Sequence, residues 1–297
     1  MANTLNGINL DAIAQKTLDF LGLMFFPLTA VTRDLSQEIL TQGNSVTTRV
    51  ASSVPAVSVA AGYTAQDVTS TSKQVTLDKN KGFPFALTDA EVQKSAFGYD
   101  WLRDIFMVPA LESVLKAAMA DLLALATAAN FTTTPRTITA ANFDADDVVD
   151  LQTDLDGINA PTSDRALIIK PTYRGSLVKD NPIQDAAAYG GVEAIREGRV
   201  PRVSGFSPIT YNNIPANGES LEGVALHASA LIIAARPQVV PNNFPGQVVN
   251  TSDPLTGLPL QFRYWYDANN KKEMLSVEAL YGVAVGNGTA AVRIKSA

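Results

Sequence analysis

Residues 99–130 read YDWLRDIFMVPALESVLKAAMADLLALATAAN. Ala, Leu, Met, Glu and Lys dominate, all good helix formers. The acids of the stretch and its one lysine fall at Asp100, Asp104, Glu112, Lys116 and Asp121, spaced by four, eight, four and five. This spacing predicts a helix with one thin wet stripe and an otherwise apolar surface. About 30 residues of helix span about 45 Å, so such a rod must be covered on several sides. Pro109 predicts a kink or an end-to-end junction of two helices. The flanking sequence reads as strand and loop, which makes the helix a backbone for flanking sheets rather than a bundle member.

Working outward to the N-terminus, residues 1–20 carry Leu10, Ile13, Ala14, Thr17 and Leu18 at helical spacing and predict a short helix. Residues 22–36, GLMFFPLTAVTRDLS, are apolar and extended or irregular. A segment this greasy needs a partner surface, in its own domain or on a neighbouring subunit. Residues 44–60 and 75–88 alternate with strand composition around the small, polar stretch 61–74, which predicts a long hairpin. Lys79, Asn80 and Gly82 read as a turn or bulge in the second arm. The arms hold few large apolar residues, and an isolated two-stranded ribbon is marginal in water; a neighbouring chain is a natural support. Thr88 with Glu91 has the spacing of a capping box.

Beyond the long helix, Phe131 to Ala141 is a Thr-rich connection with room for a short strand. Asp144 to Ile158 predicts a helix with Asp144, Asp146 and Asp147 at its start, favourable to the macrodipole, and an apolar stripe of Val148, Val149, Leu151 and Leu155. Residues 165–170 read as a buried strand, Pro171 opens a further helix, and 181–198 as loop and helix. Residues 200–211 read as strand broken at Gly205, and 221–235 is apolar with helix and strand both open. Residues 248–256 read as loop, 260–266 (LQFRYWY) as strand, 267–272 as turn, and 273–281 and 283–294 as closing strands. The whole is α+β.

The totals narrow the function. The chain has 297 residues, 46% hydrophobic and 18% charged, with net charge −6 and a pI near 4.9. This argues against a dedicated nucleic-acid binder, which is usually basic. There is no cysteine and a single histidine, His227, so thiolate chemistry, disulfides and histidine pairs within one subunit are excluded. The early residues have no charged secretory leader, and the apolar run 20–31, broken by Pro27, falls short of the roughly 20 residues a membrane span needs; no membrane segment is expected. The acids at 144–147 lack the Gly and Glu that a calcium loop requires. Gly286-Asn287-Gly288 comes too near the end for a dinucleotide fold and reads as a turn. His227, in an apolar run, reads as a packed core or interface residue. No nucleophile–base pair, phosphate loop or metal motif is present. Lys73, Lys79 and Lys81 near the hairpin read as the charges that keep an edge strand from aggregating, or as contacts to an adjacent subunit.

The order of elements resembles the tailed-phage major capsid proteins of the Hong Kong 97 type. The resemblance is carried by the hairpin QGNSVTTRVAS…VTLDKNKGFPFALTDAEV, the long helix, GRVPRVSGFSPITYNNIP followed by GVALHASALIIAARP, and LQFRYWYDANNKKEMLSVEALYGVAV. It implies an N-terminal arm (1–35), an extended β-hairpin loop (44–90), a peripheral domain with the spine helix (91–143 and 241–297) and an α/β axial domain (144–240). It implies a structural coat protein, not an enzyme, assembling into pentamers and hexamers of an icosahedral head around double-stranded DNA. No catalytic, cofactor or metal residues are expected; Phe25, Phe26, Lys73, Lys79 and Lys81 are the candidate subunit contacts. A separate scaffolding protein, a portal and a decoration protein are the further partners, with the virion capsid as location and the host bacterial cytoplasm as place of assembly. Some family members crosslink a hairpin lysine to an asparagine of the next subunit; Lys79 and Lys81 are the lysines available, with no matching asparagine or glutamate assigned. The alternatives are an encapsulin-like shell, a small-molecule enzyme or binding protein built on 144–240, and a tail or fibre protein.

Overall fold

A computed structural model describes residues 26–35, 45–51, 58, 70–94, 98–180, 183, 202–253 and 256–296. Phe25, the helix expected within 1–20 and, apart from Ile183, the stretch 181–198 lie outside the described residues.

Helix α1, Asp89–Lys94, opens on the expected capping box. The Thr88 N–H donates to Glu91 Oε2 at 2.9 Å, and the Glu91 N–H donates to Thr88 Oγ1 at 3.2 Å. The long helix is α2, Gly98–Leu123, and it runs unbroken through Pro109. Proline cannot supply the N–H that Ile105 C=O would accept. Both residues are exposed, so water reaches the freed carbonyl. The helix stops seven residues short of the expected Asn130. Leu125 and Ala126 tighten to i→i−3 bonds, and the Asn217 amide donates to the carbonyls of Leu123 and Ala126, both at 2.9 Å. The cap is therefore supplied from 94 residues away, satisfying carbonyls that a helix end leaves open. The polar stripe is also interrupted. Glu112 and Lys116 pair on the outside, but the step of five to Asp121 rotates it well off that line, and it points at the sheet.

Six strands form the sheet under α2, in the order β1 (Thr32–Leu35), β9 (Leu231–Arg236), β12 (Lys272–Val285), β11 (Pro259–Asp267) and β10 (Gly246–Ser252), with β4 (Lys79–Thr88) also paired to β12. Leu111, Val114, Leu115, Met119 and Leu122 of α2 pack on Ile233, Phe262, Leu275, Val277 and Tyr281 of the sheet. The apolar segment after Pro27 finds its partner in its own chain. Leu28 and Val31 join this core, and β1 pairs parallel to β9. Arg236 holds Asp34 at 2.7 Å across the pair.

A second sheet has the order β5 (Arg136–Thr137), β13 (Ala291–Lys295), β8 (Leu221–His227), β6 (Arg165–Ile169), β7 (Pro208–Thr210). Helices α3 (Ala145–Gly157) and α4 (Pro171–Lys179) cover it. Asp144 caps α3 in a reciprocal box with Asp147, as the acids at its start imply. Burial pushes the Asp147 carboxyl above its ordinary value. Val148, Leu151 and Leu155 are buried, but Val149 is 47% exposed, because it sits 100° round the helix from Val148. Pro171 starts α4, and Ser204–Gly205, both at positive φ, turn the chain between Val203 and Phe206.

The stretch 221–235, open between helix and strand, is two strands in different sheets. A 3-10 turn at Ala228–Ala230 carries the chain from β8 to β9. His227 caps that turn: its Nδ1 accepts the Ser229 N–H at 3.2 Å and lies 2.8 Å from Ser229 Oγ. The change of sheet thus falls near residue 229, and β13 returns to the five-stranded sheet. The expected loop at 248–256 is largely strand β10, whose partner β11 supplies the hydrogen bonds. The closing run 273–285 is one strand, β12, paired on both sides.

The hairpin differs from its sequence reading. β2 (Ser45–Ala51) pairs with β3 (Ser70–Thr76), so 70–74 is strand rather than polar tip. The second arm divides at Leu77–Asp78, and β4 leaves the hairpin to pair with β12. The expected turn at Lys79, Asn80 and Gly82 lies inside β4. Gly82 is there because a Cβ would come within 2.7 Å of Glu278 Cγ, a close approach that sequence alone reads as a turn.

Candidate assembly surface

Cross-strand register places alternate residues of β12 on opposite faces of the six-stranded sheet. Leu275, Val277 and Tyr281 face α2. Ser276, Glu278, Leu280, Gly282 and Ala284 face the other way, and that outer face divides in two. One part is apolar: Ile232, Ala234, Leu280 and Ala284 meet Val75 and Leu77 from the root of the ribbon, with Val46 beside them. Fully burying a Val or Leu contributes roughly 1.5–3 kcal/mol, so the root has a small core of its own. The other part is polar. Arg263 reaches Glu278 at 3.3 Å, Gln261 Oε1 at 2.7 Å and Gln238 Oε1 at 2.7 Å, and the Ser276 hydroxyl donates to Glu278 at 2.8 Å. Arg263, Glu278, Gln238 and Ser276, with Asn80, Gly82 and Pro84, line a shallow depression of about 430 Å³.

Next to the root, the described side chains of the ribbon open to water. Thr47, Lys73 and Gln74 are exposed, whereas Val75 is buried. The candidate lysines separate accordingly. Lys73 lies on the ribbon in register with Thr48, and Lys81 is exposed on β4. Lys79 pairs within its own chain, 3.5 Å from Asp121 of α2. Asp121 Oδ2 also accepts the Tyr281 hydroxyl at 2.7 Å. Burial, then that bond, pushes the Tyr281 phenol far above its ordinary value. A second uncovered area lies where α2 begins to cross β4. Phe83, Ile105 and Phe106 are 47%, 45% and 42% exposed, and Phe106 contacts Phe85 with ring centroids 5.8 Å apart. Phe26 begins the 3-10 turn Phe26–Ala30.

His227 is half-buried, and burial holds its imidazole below its ordinary value; its ring is occupied by Ser229. The 144–240 stretch borders a cleft of about 640 Å³ beside Arg136. That guanidinium is bound to Asp154 at 2.6 and 2.8 Å and to Asp150 at 3.0 Å, so its charge is already matched. Among the described residues no cluster of three or more acidic, histidine or cysteine side chains could hold a metal ion. No helix among them is long and apolar enough to cross a membrane. The ribbon strands are legible in the sequence, and composition picks out the lysines beside them. Asp121, Tyr281, Gly282 and the Arg263–Glu278 pair are not legible there, because their roles depend on pairings between distant segments; the break of the stripe at Asp121 was the one visible signal.

No protein-family model matches the chain, and no curated protein matches it. Solved structures do. The capsid structure of the cyanophage P-SCSP1u is 15% identical, with a TM-score of 0.62 over 90% of this chain and 86% of that one. The mature capsid of bacteriophage PhiM1 is 12% identical, with a TM-score of 0.60 over 89% and 85%. The capsid of a native GTA particle is 14% identical, with a TM-score of 0.53 over 100% and 94%. The fold is that of the tailed-phage major capsid proteins of the Hong Kong 97 type.

Proposed function

We propose that this chain is the major capsid protein of a tailed phage: a structural shell subunit, not an enzyme, located in the virion capsid. The observation that carries the reading is the likeness to phage capsid chains across nearly the full length of both partners. The ribbon adds support: its paired strands expose Thr47, Lys73 and Gln74 while Val75 at the root is buried, and a two-stranded pair is marginal on its own. In this reading copies associate as pentamers and hexamers of an icosahedral shell around double-stranded DNA. Assembly takes place in the host bacterial cytoplasm with a separate scaffolding protein and a portal, and a decoration protein can bind outside. The 1–35 segment is the arm and lends β1 to the six-stranded sheet, 44–90 is the extended loop and lends it β4, the rest of that sheet with α2 is the peripheral domain, and the five-stranded sheet with α3 and α4 is the axial domain. Phe25 and Phe26 from the arm, with Lys73 and Lys81, contact neighbouring subunits, and Lys79 serves that contact from the root.

Sedimentation velocity of the purified chain over a range of concentrations, with negative-stain imaging of any fast fraction, tests the reading. Closed shells or five- and six-fold rings are the expected result. A chain that stays monomeric, even with a candidate scaffolding protein, would overturn it.

A further inference from the structure

The ribbon joins the sheet at two consecutive residues of β12 that face opposite ways. On the outer face, β3 crosses directly over Gly282. A Cβ at that position would overlap the Thr76 carbonyl oxygen and come within 3.1 Å of Val75 Cγ1. Only glycine lets the ribbon backbone lie this close to the sheet. On the inner face, Tyr281 donates to Asp121 of α2, and the same Asp121 oxygen draws Lys79 to 3.5 Å. Lys79 is the first residue of β4 and pairs in register with Tyr281. Within four residues, Thr76 to Lys79, the chain passes from over the outer face to an ion pair beneath the inner one. Leu77, 4% exposed, makes the passage together with Asp78.

We propose that this is a two-sided clamp that sets the angle at which the ribbon leaves the body, with Gly282 and Asp121 as its positioning residues. Because Asp121 belongs to α2, the clamp ties the ribbon to the long helix as well as to the sheet. A ribbon that must meet another molecule at a defined place needs a fixed departure angle, since a small angular error at the root grows along its length. Thr76, Leu77 and Lys79 act as one unit: the seat fixes depth, the apolar contact excludes water, and the ion pair fixes direction. The link from clamp to shell geometry rests on the capsid reading above; the clamp itself does not.

The test is amide hydrogen exchange on the full chain, comparing wild type with Gly282→Val and Asp121→Asn. Valine suits a strand, so β12 retains its pairing while the seat is lost. The carboxamide introduced by Asp121→Asn still accepts from Tyr281 but lacks the charge that holds Lys79. Exchange in 45–51 and 70–77 should accelerate roughly tenfold or more in Gly282→Val and about threefold in Asp121→Asn, with 165–169 and 221–227 unchanged. Ribbon exchange equal to wild type in either variant would overturn the proposal. If Gly282→Val accelerates exchange everywhere, Asp121→Asn decides alone: a ribbon-confined change supports the clamp, and no change overturns it. Negative-stain imaging of the same proteins separates the two readings. Irregular or open particles from variants whose wild type forms closed shells tie the clamp to assembly. A wild type that forms no particles, even with a candidate scaffolding protein, removes the shell reading and leaves the exchange result standing.

Discussion

The five-stranded lobe and the β2–β3 ribbon satisfy the same physical demands in opposite ways. In the lobe, four of the five β6 residues are buried, α3 and α4 lie against the sheet, and both helix starts are satisfied locally, by the Asp144 box and by Pro171. In the ribbon, Val75 is buried, whereas Lys73, Gln74 and Thr47 are open to water. The described part of the lobe buries its core within one chain. The ribbon has its own backbone pairing, and its described side chains that reach a core, Val46 and Val75, lie at its root. Stability and assembly should therefore respond to different residues.

Substitutions can sharpen or break that contrast. The largest effect is expected in the lobe. Leu155→Ala, at 0% exposure among Val148, Leu151 and Leu167, should cost about 2–5 kcal/mol, read as a lower denaturant midpoint. Tyr281→Phe at the root should cost about 1 kcal/mol, because the hydroxyl it removes has Asp121 as its partner. Asp144→Ala should also cost about 1 kcal/mol through loss of the α3 cap. Lys73→Ala should leave stability within about 0.5 kcal/mol yet reduce particle yield by negative stain. A fall in stability with unchanged yield would place the ribbon with the lobe and break the comparison.

The smallest effect concerns pH. Burial lowers the His227 pKa from its ordinary 6.5, so the folded state binds a proton less readily than the unfolded one. Its contribution is fully present above 6.5 and is lost as pH falls from there through the lower folded value. Denaturant midpoints should drop over that window in wild type, and drop less in His227→Gln. Equal slopes in the two proteins would show that the imidazole is not linked to folding.

Much of this architecture is legible in the sequence where the cause is local. The Thr88–Glu91 and Asp144–Asp147 boxes, the start of α4 at Pro171, the strand at 260–266 and the Gly205 turn all follow from residues within a few positions of each other. The misreadings share one cause. The end of α2 depends on Asn217, the division of the second hairpin arm on a partner strand near residue 280, and the glycines at 82 and 282 on close approach by other segments. A glycine that permits contact and a glycine that permits a turn look alike in one dimension. The candidate surface follows the same rule. The lysines could be picked out by composition and setting, whereas Asp121 and Gly282 acquire their roles only when β3, β4, β12 and α2 meet.

In the capsid reading, another copy of the chain covers the ribbon beyond its root. Amide exchange at residues 70–74, measured in assembled particles and in the same protein after dissociation, tests this most directly. Protection there should rise on assembly by roughly tenfold or more, while residues 165–169 in the closed lobe exchange alike in both states. Equal exchange at 70–74 in the two states would mean that the ribbon remains uncovered in the particle, contradicting the account.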